Sequence, residues 1–130
     1  EKTDGSGGWI NGQRISLRFD DTLQNLIGAE PRNAKIRICY YDNGTDGIRV
    51  CYISNTDRNK TVNIQKEDTN TWKWYELDVT DLINASPADT SANNGLQDEK
   101  TNFAVWGKTK EESNERDTDT YIAEIQLILE

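Results

Sequence analysis

Residues 34–54 constrain the fold more than any other stretch of this chain. They read Ala-Lys-Ile-Arg-Ile-Cys-Tyr-Tyr, then Asp-Asn-Gly-Thr-Asp-Gly, then Ile-Arg-Val-Cys-Tyr-Ile-Ser. Ile36, Ile38 and Tyr40 recur at every second position, and so do Ile48, Val50 and Tyr52. A period of two in β-branched and aromatic residues puts one apolar face on each segment, which is the pattern of a half-buried strand. The Asp, Asn and Gly between them are turn formers, so the stretch reads as two strands joined by a tight turn.

The same pattern recurs along the chain. Ile15, Leu17 and Phe19 alternate over residues 14–19. Val62 and Ile64 do so over 61–66. Residues 72–82 form the longest aromatic-rich segment, with Tyr75, Leu77 and Val79 on one face and Trp74, Glu76 and Asp78 on the other. Phe103 and Val105 share a face in 102–108, opposite Trp106. In 121–129 the spacing of Ile122 and Ile125 breaks strict alternation and predicts a bulge near Ala123 and Glu124. One helical turn fits residues 20–28, with Asp21 or Thr22 as cap and Pro31 as stop. Residues 84–100 and 109–118 read as long polar loops, and no ten-residue helical period interrupts the strands, so a βαβ fold is not expected. The fold expected is all-β, a β-sandwich or jelly roll of about eight antiparallel strands.

Composition narrows the function. The 130 residues suffice for one domain with its own core, here residues 9–130, and the polar Gly-rich residues 1–8 read as a linker or frayed terminus. Four Trp, five Tyr and two Phe argue against disorder. The net charge of −8 disfavours nucleic acid and anionic membranes as partners, since both need a basic footprint. No apolar run approaches the roughly 18 residues of a membrane helix. Without a leader pattern or any Met, the sequence reads as a mature or excised piece. The absence of His removes imidazole acid–base chemistry and the usual zinc sites.

Residues 18–21 (Arg-Phe-Asp-Asp), 36–42, 47–54 and 72–82 together resemble the galactose-binding-domain-like jelly rolls, the carbohydrate-binding modules of secreted polysaccharide-degrading enzymes. The shared features are an aromatic-Asp strand, a strand of alternating β-branched residues ending Tyr-x-Asp, a Gly turn, and a second Tyr strand. A Trp step follows, here Asn70-Thr71-Trp72 with Asn where the family has Gly, and a Phe-led strand, here Asn102-Phe103-Ala104-Val105. The resemblance spans residues 14–129. It implies a non-catalytic, extracellular module that is covalently linked to an enzyme and binds a polysaccharide or oligosaccharide. It also implies a structural calcium ion held by distant segments, with Glu124 and residues 117–119 as candidate ligands.

Sugar rings lay their C–H faces on flat aromatic side chains, so the candidate ligand-binding residues are Trp74, Trp106, Tyr41, Trp9 and Trp72. Trp74 and Trp106 lead, because each opposes its strand's apolar set; Trp72 falls on a packing position of the family. Arg37 and Arg49 read first as solvated strand residues and second as donors to sugar hydroxyls, with Arg49 kept as the candidate. Cys39 and Cys51 lie opposite the apolar faces of their strands. If the two strands pair directly, Cys39 faces Cys51 and a disulfide can form; if they lie in facing sheets, it cannot. Residues 42–46 carry oxygen ligands but lack the later bidentate Glu of a calcium loop, and read as a turn. Two other classes of function compete. One is a small jelly-roll glycosidase using Glu76 and Asp78, which alternation places on one face. The other is a structural β-sandwich of a multi-domain surface protein.

Overall fold

A computed structural model of the chain describes residues 2–3, 14–57, 60–84, 102–108 and 120–130. Among them, alternation resolves into the strands β1 (Lys2–Thr3), β2 (Arg14–Leu17), β3 (Arg32–Tyr41), β4 (Gly47–Tyr52), β5 (Lys60–Gln65), β6 (Trp72–Leu82), β7 (Phe103–Lys108) and β8 (Thr120–Leu129). A short helix, α1 (Asp21–Ile27), follows β2. Its cap is Asp20, one residue before the two predicted positions: the Asp20 carboxylate accepts the Leu23 amide at 2.7 Å. Gly28 ends it at φ 70°, a left-handed conformation in which a side chain is strained.

The strands form two antiparallel sheets, in the orders β1-β8-β3-β6 and β2-β7-β4-β5. Each sheet turns one face inward, and the two faces share one apolar core. Ile36, Ile38 and Tyr40 enter it from β3, and Ile48, Val50 and Tyr52 from β4. The architecture is therefore all-β and sandwich-like, as expected. The two residues of β1, Lys2 and Thr3, pair with Tyr121 and Thr120 of β8.

The tight turn expected between β3 and β4 does not form. β3 lies between β8 and β6, while β4 lies between β7 and β5 in the other sheet, so residues 42–46 carry the chain across the core. Alternation cannot distinguish a strand that pairs from one that faces across the core, because both bury the same face.

What fixes the crossing is a clasp between residues 42–46 and the β5–β6 turn, residues 66–71. Asp42 is completely buried. Its carboxylate accepts the amides of Glu67 (2.7 Å) and Thr69 (3.1 Å) and the Thr69 hydroxyl (2.5 Å), and pairs with the Lys73 ammonium at 3.0 Å. Asp46 pairs with Lys66, and both side chains are withdrawn from water. Backbone bonds Asp42 N–H to Thr71 C=O, Asn70 N–H to Asp42 C=O and Lys66 N–H to Asp46 C=O close the clasp. Asp68 and Asn70 turn through positive φ, which short side chains of this kind tolerate, and Asp68 accepts the Gly44 amide.

The predicted bulge forms. Cys39 faces Glu124 but Tyr40 faces Ile122, which leaves Ala123 as the extra residue of β8. Among the described residues no helix is long and apolar enough to cross a membrane.

Candidate functional site

The outer face of the β1-β8-β3-β6 sheet is built by residues of one parity on each strand. β6 contributes Trp72, Trp74, Glu76 and Asp78, and these stand beside Tyr41, Cys39, Arg37 and Lys35 of β3. On the other flank of β3, Glu124, Gln126 and Ile128 of β8 stand beside Cys39, Arg37 and Lys35. The bulge at Ala123 then shifts the parity of β8. Ile122 turns into the core, and Tyr121 rises on the outer face beside Tyr41.

One end of this face is aromatic. The Tyr41 ring lies 5.3 Å from Trp72, tilted by 58°, and 6.4 Å from Tyr121, edge-on at 85°. These separations and angles are those that aromatic quadrupoles favour. The Tyr41 hydroxyl donates to the Asn70 carbonyl at 3.0 Å, which ties the ring to the clasp. Trp72 and Trp74 keep 54% and 44% of their surface in water. Trp72 is thus a surface residue and not the packing position expected: β6 begins at Trp72, and its parity is that of Trp74.

The other end is charged. Arg37 sits at the centre, its guanidinium carbon 4.5 Å from the centroid of the Trp74 ring. Its Nε lies 3.3 Å from Glu76, and a terminal nitrogen donates to the Gln126 carbonyl oxygen at 2.8 Å. The Gln126 amide donates in turn to Glu124 at 2.7 Å. Lys35 lies 2.9 Å from Glu76 and 3.7 Å from Asp78. The hydrogen bond from Lys35 holds the Glu76 carboxyl below its ordinary value, with the charges of Lys35 and Arg37 adding to it. The same bond raises Lys35.

The structure divides the predicted ligand residues. It gathers Trp72, Trp74 and Tyr41 on one face. Trp106 lies in β7, in register with Arg14 and Arg49, so Trp106 and Arg49 belong to strands of the opposite sheet from Trp74. Trp9 lies outside the described residues, as do residues 117–119 and nearly all of the two long polar loops. Sequence reasoning missed Tyr121 and Gln126, and placed Arg37 first among solvated residues, with donation to sugar hydroxyls as the alternative. The bulge was the available signal for Tyr121, since one extra residue re-aims every side chain before it.

Cys39 and Cys51 are both buried, on strands of different sheets, and the disulfide allowed by direct pairing does not form between them. Cys39 lies in the middle of the aromatic face, a short side chain beside Trp74 and Glu124. Burial pushes its thiol up, and the Glu124 charge adds to the effect. Cys51 packs in a small apolar cluster with Ile53, Ile83 and Ala104.

Glu76 and Asp78 share a face, as a two-carboxylate mechanism needs. Yet both are ion-paired to Lys35, and Glu76 is shifted away from the raised value that suits a general acid. Asp81 is occupied elsewhere, by the Tyr52 hydroxyl at 3.0 Å and the Lys60 ammonium at 2.5 Å. Among the described residues no group of three or more acidic, His or Cys side chains gathers around a point. Asp42 is surrounded by hydrogen-bond donors, Asp46 is paired with Lys66, and Glu124 accepts from Gln126. Each of these carboxylates is thus already held by donors of the protein itself. No protein-family model matches the chain, and no curated protein does.

Proposed function

We propose that this protein is a non-catalytic carbohydrate-binding module. It holds a plant cell-wall or similar polysaccharide on the outer face of the β1-β8-β3-β6 sheet. Outside the cell, it keeps a covalently linked polysaccharide-degrading enzyme near its substrate and so raises the local substrate concentration. The observation that carries this reading is the group Trp72, Trp74, Tyr41 and Tyr121 on one sheet face, two of them tryptophans about half in water. A group of exposed aromatic side chains on one face supports a binding role, and these are bordered by carboxylates and an amide that can take the hydroxyls of a sugar. The strand orders β1-β8-β3-β6 and β2-β7-β4-β5 support reading the fold as an eight-stranded jelly roll, each sheet interleaving early and late strands.

Affinity electrophoresis through gels containing plant-wall glycans tests the proposal. Migration is retarded by at least one glycan, with no loss of polymer length. Trp74→Ala weakens that binding by about 2 kcal/mol, roughly thirtyfold in Kd, the cost of truncating an aromatic anchor. Released oligosaccharide supports the Glu76/Asp78 glycosidase instead. Unretarded migration on every glycan favours the structural β-sandwich.

A further inference from the structure

The charged end of the aromatic face carries a consequence for ligand choice. Among the described side chains it holds two cations, Lys35 and Arg37, and three acids, Glu76, Asp78 and Glu124. Both cations are committed. Lys35 is shared between Glu76 and Asp78. Arg37 is approached on three sides: Glu76 lies 3.3 Å from its Nε as an ion pair without hydrogen-bonding it, a terminal nitrogen donates to Gln126, and the Trp74 ring lies against its planar face. Gln126 directs one of its amide N–H groups to Glu124.

We infer that this platform selects uncharged glycan chains over polyuronates, with Arg37 acting as a positioning residue for Trp74. The inference rests on the reading of the face as a glycan site. A uronate carboxylate is held by a bidentate Arg or by a Lys point charge. To gain either here it must displace Glu76. Taking Arg37 also removes the cation that packs on Trp74, so the charge contact is made at the expense of the stacking platform. Glu124 and Asp78 repel the approaching carboxylate, and the net charge of −8 opposes its encounter from a distance. A neutral sugar meets the opposite situation. Its hydroxyls donate, and the exposed carboxylates of this face accept. Arg37 meanwhile fixes the Trp74 ring, so less side-chain freedom is lost when a sugar stacks on it.

Titration calorimetry with oligosaccharides of matched length separates the outcomes. The neutral arm contains gluco-, xylo- and manno-oligosaccharides; the charged arm contains oligogalacturonates and oligoalginates. Binding of a neutral ligand at least about fivefold tighter than any uronate is expected, the scale of exposed charge interactions. Equal or tighter binding of a uronate overturns the selectivity while leaving the carbohydrate-binding reading intact. Binding of neither class removes that reading and the inference with it. A second variant tests the cause. Glu76→Gln releases Lys35 and Arg37, so its uronate affinity rises, and rises most at low salt. If Glu76→Gln binds uronates no better than the unaltered protein, the cations were not withheld by Glu76 and the inference fails.

Discussion

Two groups of ion pairs in this molecule use the same residue types at opposite extremes of exposure. In the clasp between residues 42–46 and 66–71, Asp42, Asp46 and Lys66 are withdrawn from water. On the aromatic face, Lys35, Arg37, Glu76 and Asp78 all keep part of their surface wet. Burial decides what such pairs do. A buried charge that loses its partner cannot recover the solvation it gave up, so each partner enforces the presence of the other. An exposed pair exchanges one set of interactions for water at little net gain. The clasp therefore dictates which loops meet, and thereby that β3 and β4 end in different sheets. The exposed network dictates only how a surface is shaped and charged.

The most severe way to break this contrast is to remove Lys66. Lys66→Met leaves Asp46 buried without its cation and costs about 3–5 kcal/mol of stability, measured by urea denaturation. Adding Asp46→Leu removes the stranded charge, so the double variant recovers most of the loss, because an apolar pair of similar volume replaces the ion pair. A single variant as stable as the parent shows that the clasp does not hold the crossing.

Asp42 gives a smaller effect with a pH signature. Burial alone pushes its carboxyl up. The Thr69 hydroxyl, the Glu67 and Thr69 amides and the Lys73 ammonium outweigh that and hold it well below the usual carboxylate range. A depressed folded value means that the unfolded chain takes up the proton first. The stabilisation is therefore complete above the ordinary Asp value near 4 and declines as pH falls below it. Asp42→Asn keeps the shape but loses the charge, and costs about 2 kcal/mol at pH 7, the scale of hydrogen bonds to an ionised group. Its urea midpoint varies less between pH 5 and pH 2.5 than that of the parent. Parallel profiles for the two proteins overturn the role given to Asp42.

These two regions also differ in how much of them the sequence disclosed. β6 was legible to the residue, because alternation runs unbroken from Trp72 to Thr80. The bulge at Ala123 was legible because Ile122 and Ile125 both had to reach the core. From these two facts Trp72, Trp74 and Tyr121 follow as outward residues, although the family resemblance drew Trp72 inward. The clasp was not legible. Lys66 ends an alternating strand, and a lysine there reads as solvent-facing by composition. Its burial goes with the pairing to Asp46, twenty residues earlier, and no local pattern links the two. The same limit hid the separation of β3 from β4, and with it the fate of Cys39 and Cys51. Local periodicity reports which face of a strand is buried, and long-range partners decide against what.

The smallest expected effect sharpens the comparison from the exposed side. Glu76 binds both cations of the aromatic face, so its removal breaks as many ion pairs as any substitution in the clasp. Glu76→Gln nevertheless leaves the urea midpoint at pH 7 where it was, because Lys35 and the new amide reach water, Arg37 keeps Gln126 and a part-exposed side chain, and no fully buried charge is stranded. The depressed Glu76 value points the same way. Its contribution is present above the ordinary Glu range and fades as pH falls, but solvent screening leaves little to lose. A midpoint that drops as far as that of Lys66→Met would show the face network to be structural, and Arg37 a strut of the sheet rather than a support for Trp74. A midpoint that stays, together with a changed preference between neutral and uronate ligands, assigns the network to recognition.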